Sequence, residues 1–263
     1  MNKGKSRAIK LREDIGIDDP SEIPLRDVVT AHGGLIVYKD LGEIDGRIVY
    51  GNNISTIYIN STIKHEGRKR FSIAHELGHL LMHKDSPIHD DNISLNWFNG
   101  TENQLSKGYQ EFEANQFATE YLLPSDLFRI EARKMPFGPD LVRDLSERFN
   151  SSLTSVAFKF FDVDIHPIAM FHIFNGQIKY WKRSKDFRGF LKNISSLSPP
   201  EDSLAQEYIE ANYNAIYEKH ELAQSIEKST WCKLQKGESN TDFFEYCIVT
   251  QFQKSILSII WEP

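Results

Sequence analysis

Two stretches of the chain place apolar residues at the three-to-four spacing of a helix packed on more than one side. In RKRFSIAHELGHLLMH, residues 68 to 83, Phe71, Ala74, Gly78 and Met82 form one row and Ile73, Leu77 and Leu81 fill the next. A second helix, from Gln110 to a stop at Pro124, puts Glu111, Ala114, Asn115, Ala118 and Leu122 on one face. Shorter amphipathic helices are expected at 6–15, closed by Gly16, and at 23–31. LIVY at 35–38, RIVY at 47–50 and TIYIN at 56–60 read as strands of a small antiparallel sheet, with Asp45-Gly46 turning the first two into a hairpin. Beyond Pro124 the pattern predicts helices at 125–133, 140–149 and 152–161, the last two joined at Asn150-Ser151 like a helix-turn-helix. From Ile165 it shifts to a β-hairpin around Asn175-Gly176, a helix at about 201–219, and strands near 230–234, 243–252 and 255–261. The expected organisation is α+β in three parts: residues 1–135, a helix-turn-helix-like segment at 136–164, and a C-terminal α+β domain on an antiparallel sheet at 165–263.

With 263 residues, 40% of them hydrophobic, the chain can build a full core. A net charge of −6 argues against a main task of holding nucleic acid, and SLTSVAFKFF, the would-be recognition helix, offers only Lys159 to a phosphate. Packing is the expected role of that segment. No apolar run reaches bilayer length, and Met1 to Lys10 is basic with no apolar stretch behind it, so a cytoplasmic protein without a membrane partner is expected. Cys232 and Cys247 lie far from the histidines without metal-ligand spacing and read as free thiols, a bridge between them being the alternative.

Chemistry concentrates in His75-Glu76-Leu77-Gly78-His79. One helical turn, about 6 Å, separates His75 from His79 on one face, so both imidazoles can converge on one ion. Glu76 lies beside the pair, where it can take a proton from a water on that ion. This is the physical content of a hydrolytic His-Glu-x-x-His zinc site. Gly78 costs a helix interior about 1 kcal/mol relative to alanine, which implies a close neighbour there. His83 lies about 12 Å from His75 along a straight helix, too far to join the same ion.

A third ligand must therefore come from elsewhere. Glu111 is the candidate, because its face carries two alanines able to lie against the glycine face of the first helix. Glu113, in a neighbouring register, is the alternative. Between the two helices, 85–108 is rich in Asp, Asn, Ser and Gly around Trp97 and Phe98, and reads as a surface loop or as a flap over the site. Tyr109, His83 and Tyr58 are candidates for steadying an oxyanion.

The runs RKRFSIAHELGHLLMH and EFEANQFATEYLLP resemble the two signature segments of the ImmA/IrrE family of metallopeptidases. The likeness spans roughly residues 6 to 160 and loosens beyond 165. It implies a zincin-like fold, His75, His79 and Glu111 as ligands to one zinc ion, and Glu76 as catalytic base. It also implies a cytosolic regulatory protein as substrate, a helix-turn-helix repressor or an antitoxin cleaved during stress, and in some members a sensory, GAF-like C-terminal domain. The expected function is thus a zinc-dependent endopeptidase in transcription regulation. The alternative is a non-catalytic zinc-containing regulator acting by protein or DNA binding, a role in which Glu76 would have no use.

Overall fold

The computed structural model describes residues 2–84, 105–193 and 197–263, with the backbone alone at 105–107. The loop expected at 85–108 therefore lies, up to residue 104, outside the described residues. The described chain is α+β and divides into two compact units, residues 1–131 with 145–155, and 132–144 with 156–263.

The first unit opens with α1 (Lys3–Ile15), whose N-terminus is capped by Asn2 Oδ1 accepting from the Gly4 N–H at 2.9 Å. Its C-terminus closes on Gly16 at φ 68°, where the glycine N–H reaches the carbonyls of Arg12 and Glu13. After α2 (Leu25–Ala31) come β1 (Gly34–Lys39), β2 (Gly46–Val49) and β3 (Ser55–Asn60), then α3 (Glu66–Met82), α4 (Leu105–Leu122) and α5 (Ser125–Ala132). The three strands form where expected, but the hairpin does not: the sheet order is β1-β3-β2, with β3 parallel to β1 and antiparallel to β2. Burial explains this correction. Ile57 and Ile59 of β3 are fully buried, so β3 takes the centre, whereas β1 leaves Leu35 and Tyr38 exposed at an edge. Asp45-Gly46 is no hairpin turn, because Gly46 opens β2 and the Asp45 carboxylate is held by Arg68 at 2.7 and 2.8 Å.

Ile36, Ile48, Ile57 and Ile59 of the sheet form one core with Ile73, Ala74, Leu77 and Leu80 of α3, Phe117, Ala118 and Tyr121 of α4, and Ala8 and Leu11 of α1. Each large aliphatic side chain buried here contributes roughly 1.5–3 kcal/mol, so this core outweighs the cost of a glycine inside α3.

α6 (Pro139–Arg148) and α7 (Leu153–Val163) are joined through Asn150 at φ 46° and run across the division between the units. Lys159 is wholly buried and bonds Asp162 at 2.9 Å, so it is withdrawn from any phosphate.

In the second unit, β4 (Ile168–Phe174), β5 (Gln177–Arg183), β6 (Ala223–Glu227), β7 (Asp242–Thr250) and β8 (Ser255–Trp261) form an antiparallel sheet in the order β5-β4-β8-β7-β6. Asn175 and Gly176, at φ 49° and 72°, make the two-residue turn expected between β4 and β5. Two expectations are corrected here. α8 runs only from Leu204 to Glu210, because Asn212 and Tyr213 take positive φ and end it. The strand expected at 230–234 is instead the short α9 (Lys228–Trp231), preceded by β6. Trp231 of this turn enters the core against Phe171, ring centroids 4.0 Å apart.

Candidate metal centre

α3 is buried along most of its length, including His75, Glu76 and His79. Such a helix tolerates charge only where a neighbour answers it, and α4 supplies the answer. The close approach that Gly78 implied is made by α4: a Cβ at Gly78 would lie 3.3 Å from the Ala114 Cα and 3.1 Å from the Phe117 ring. That approach sets Glu111 against the two histidines. Nε2 of His75 is 3.0 Å from one Glu111 oxygen, Nε2 of His79 is 2.9 Å from the other, and the two Nε2 atoms are 3.0 Å apart.

All three residues thus offer a ligand atom within 4.8 Å of the others. The chemistry of these atoms is that of a cation site. His75 Nδ1 faces Asn115 Oδ1 at 2.8 Å and donates to it, which leaves Nε2 with its lone pair for the centre. With both Nε2 atoms bare, nitrogen lone pairs and carboxylate oxygens would meet with no donor among them, so the cluster suits a shared positive charge. Separations near 3 Å compare with about 3.3 Å between tetrahedral ligands of zinc, a small adjustment for side chains.

Electrostatics agree. Burial lowers the His79 pKa to about 4, against the pull of Glu111, so the ring is neutral and able to ligate. Burial also acts to lower His75, but its hydrogen bond to Glu111 and the carboxylate charge outweigh it and raise the net value. Burial pushes Glu111 up, yet its bonds to His75 and His79 hold its carboxyl well below the ordinary range.

Glu76 is 3% exposed and stands outside this triad, with its carboxylate against β2. A Cβ on Gly46 would sit 3.0 Å from Glu76 Oε1, so the absent side chain at the start of β2 is what admits that oxygen. The Glu76 charge reaches both His75 and Tyr50, whose hydroxyl donates to the His79 carbonyl at 2.9 Å. Spacing alone does not reveal the parts of Gly46 and Tyr50, since both depend on how β2 crosses α3. Asn115 was visible as a neighbour of Glu111 on one helical face, but its bond to His75 was not.

Glu113 does not join the triad. It is buried and bonds His83 Nε2 at 2.9 Å, while His83 Nδ1 lies 2.9 Å from His79 Nδ1. Among the oxyanion candidates, His83 is therefore engaged behind the site, Tyr109 is 65% exposed on α4, and Tyr58 lies under the Arg47 guanidinium at 5.7 Å.

Comparison with known proteins bears on the same residues. The chain is similar in fold to a solved Mycobacterium tuberculosis transcriptional regulator, with a TM-score of 0.61 over 99% of this chain and 87% of that one, at 15% identity. No curated protein sequence matches significantly. The family model of the M78 peptidases, described as the IrrE N-terminal-like domain, matches residues 29–161 and so takes in α3, α4 and the whole triad. Matched over half its length, and with the two signature helices meeting at one cluster of lone pairs, the chain belongs to this M78, IrrE-type family.

Proposed function

We propose that the chain is a zinc-dependent endopeptidase that cleaves a regulatory protein. The observation that carries the reading is the convergence of His75, His79 and Glu111 lone pairs on one point of α3, next to the buried Glu76 of the same helix. His75, His79 and Glu111 would hold the ion. When bound, zinc supplies Lewis acidity, polarising a peptide carbonyl and bringing the pKa of water to about 7.

The residues of the chain do the rest. Glu76 accepts the proton of the attacking water at its carboxylate and returns it to the departing amine. Gly46 keeps the space that this carboxylate occupies, and Asn115 holds His75 in the tautomer that presents Nε2. Burial of α3 keeps bulk water from the histidines, which strengthens each charge interaction there.

The resemblance to ImmA/IrrE peptidases supports a substrate that is a helix-turn-helix repressor or an antitoxin, with cleavage serving transcription regulation under stress. A cytoplasmic location is supported by the two free, buried thiols Cys232 and Cys247, and no helix among the described residues is long and apolar enough to cross a membrane. A second reading, a non-catalytic zinc-containing regulator, draws on the description of the structural neighbour as a transcriptional regulator.

The Glu76→Gln protein separates the two. Under the peptidase reading it keeps its metal, loses cleavage by about 10²- to 10⁴-fold, and holds its substrate in pull-downs from cytosol. Unchanged biological output from Glu76→Gln would favour the regulator and overturn the peptidase.

A further inference from the structure

Behind the triad a chain of polar side chains leads from His79 to the surface. His79 Nδ1 lies 2.9 Å from His83 Nδ1, His83 Nε2 lies 2.9 Å from Glu113 Oε2, and that same oxygen receives Lys3 Nζ at 3.2 Å. His83 is 3% exposed and Glu113 4%, so three of these groups are inside the protein and only Lys3 reaches solvent. With His83 neutral, as a bare His79 Nε2 requires, their proton arrangement follows by elimination. A carboxylate only accepts, so His83 Nε2 carries a proton. In a neutral ring His83 Nδ1 is then bare and accepts, and among the described residues the donor that faces it is His79 Nδ1–H. A neutral His79 with its proton on Nδ1 has a bare Nε2, the atom 2.9 Å from Glu111.

We propose that His83 and Glu113 are positioning residues which fix the tautomer and ring orientation of His79 for metal binding, with Lys3 closing the relay at the surface. The inference rests on the metal-site reading above and extends it to residues that make no contact with the ion. Packing supports it independently. α1 approaches α4 so closely that a Cβ on Gly4 would fall 2.0 Å from the Glu113 carbonyl oxygen, and this contact lays Lys3 beside the Glu113 carboxylate. The N-terminal helix lies outside the residues matched by the family model, yet its first residue ends the relay. Lys3 is 60% exposed in its side chain, so its own contribution is that of a surface pair.

The test measures Zn2+ affinity of the full-length protein by competition with a chromophoric chelator, and the Co2+ absorption spectrum as a readout of ligand geometry. His83→Leu and Glu113→Ala are expected to weaken Zn2+ binding 10- to 100-fold and to alter the Co2+ spectrum. His83→Asn, whose Oδ1 stands near the position of the ring Nδ1 and still accepts from His79, is expected to stay much closer to wild type. Lys3→Ala is expected within about fivefold. Should His83→Leu fail to melt cooperatively, Glu113→Ala and His83→Asn carry the comparison. Wild-type affinity in His83→Leu or Glu113→Ala, or an equal loss in His83→Asn and His83→Leu, overturns the relay while leaving the metal site intact. Failure of the wild type itself to bind Zn2+ overturns the site and the relay together.

Discussion

At the level of single residues, the two kinds of glycine in the site do different work. Gly78 lets one helix backbone meet another, whereas Gly46 lets a carboxylate oxygen meet a strand. The first was legible because a glycine inside an apolar helix is costly and demands a neighbour. The second was not: before a short strand, Asp-Gly reads as a turn, and only the crossing of β2 over α3 gives Gly46 its use. A methyl group there would press on Glu76 Oε1 at 3.0 Å and turn the carboxylate aside. Gly46→Ala is therefore expected to lower peptide hydrolysis by up to about 100-fold, the scale of a misplaced catalytic group, while leaving bound metal unchanged. Steady-state rates and metal content of the same preparation check this. Equal rates would mean that Glu76 is not positioned by β2.

Between elements, legibility depended on whether a feature repeats along one helix or arises where two meet. His75, Glu76 and His79 follow from the period of α3, and Glu111 with Asn115 follows from the period of α4. Glu111 is preferred over Glu113 because Ala114 and Ala118 on its face can lie against Gly78, and Gly78 does meet Ala114; the relay through His83 needed that register plus the seat of α1 on α4. Strand order was out of reach for a similar reason. Local alternation marks β1, β2 and β3, but only the shared core places β3 in the centre.

The second unit is tied by one buried group on β7. Glu245 is wholly buried and accepts from Trp231 Nε1 at 2.9 Å, from the Leu204 and Ala205 N–H groups at 3.0 and 3.1 Å, and from Ser258 Oγ at 2.7 Å. It thereby joins α8, α9 and β8 to β7. Burial raises its pKa above the ordinary carboxylate value, with these four hydrogen bonds opposing the rise. The folded state thus holds this proton to higher pH than the unfolded chain does. Stability from this group is fully present below the ordinary carboxylate range and is lost as pH climbs from there to the raised value, by at most about 1.4 kcal/mol per pH unit. Glu245→Gln sets an amide N–H₂ against at least one donor and is expected to cost about 1–3 kcal/mol near neutral pH. Because the variant lacks the titration, its deficit should widen as pH falls from the raised value toward the ordinary carboxylate range in parallel thermal melts. A gap that narrows over that range would contradict a raised Glu245.

Taken together, the chain places a cluster of lone pairs within an apolar frame and the groups that orient it on a second helix. The parts of the sequence that carry this chemistry are also those matched by the IrrE-type family model, and the reading stands or falls with a cation at that point. Anomalous diffraction at the zinc edge, from crystals of the wild-type protein supplied with Zn2+, tests this most directly. One peak per chain is predicted, bonded to His75 Nε2, His79 Nε2 and a Glu111 carboxylate oxygen, with His83 and Glu113 outside bonding distance. No peak between these side chains, or a shell completed by Glu113 while Glu111 turns away, would contradict the account.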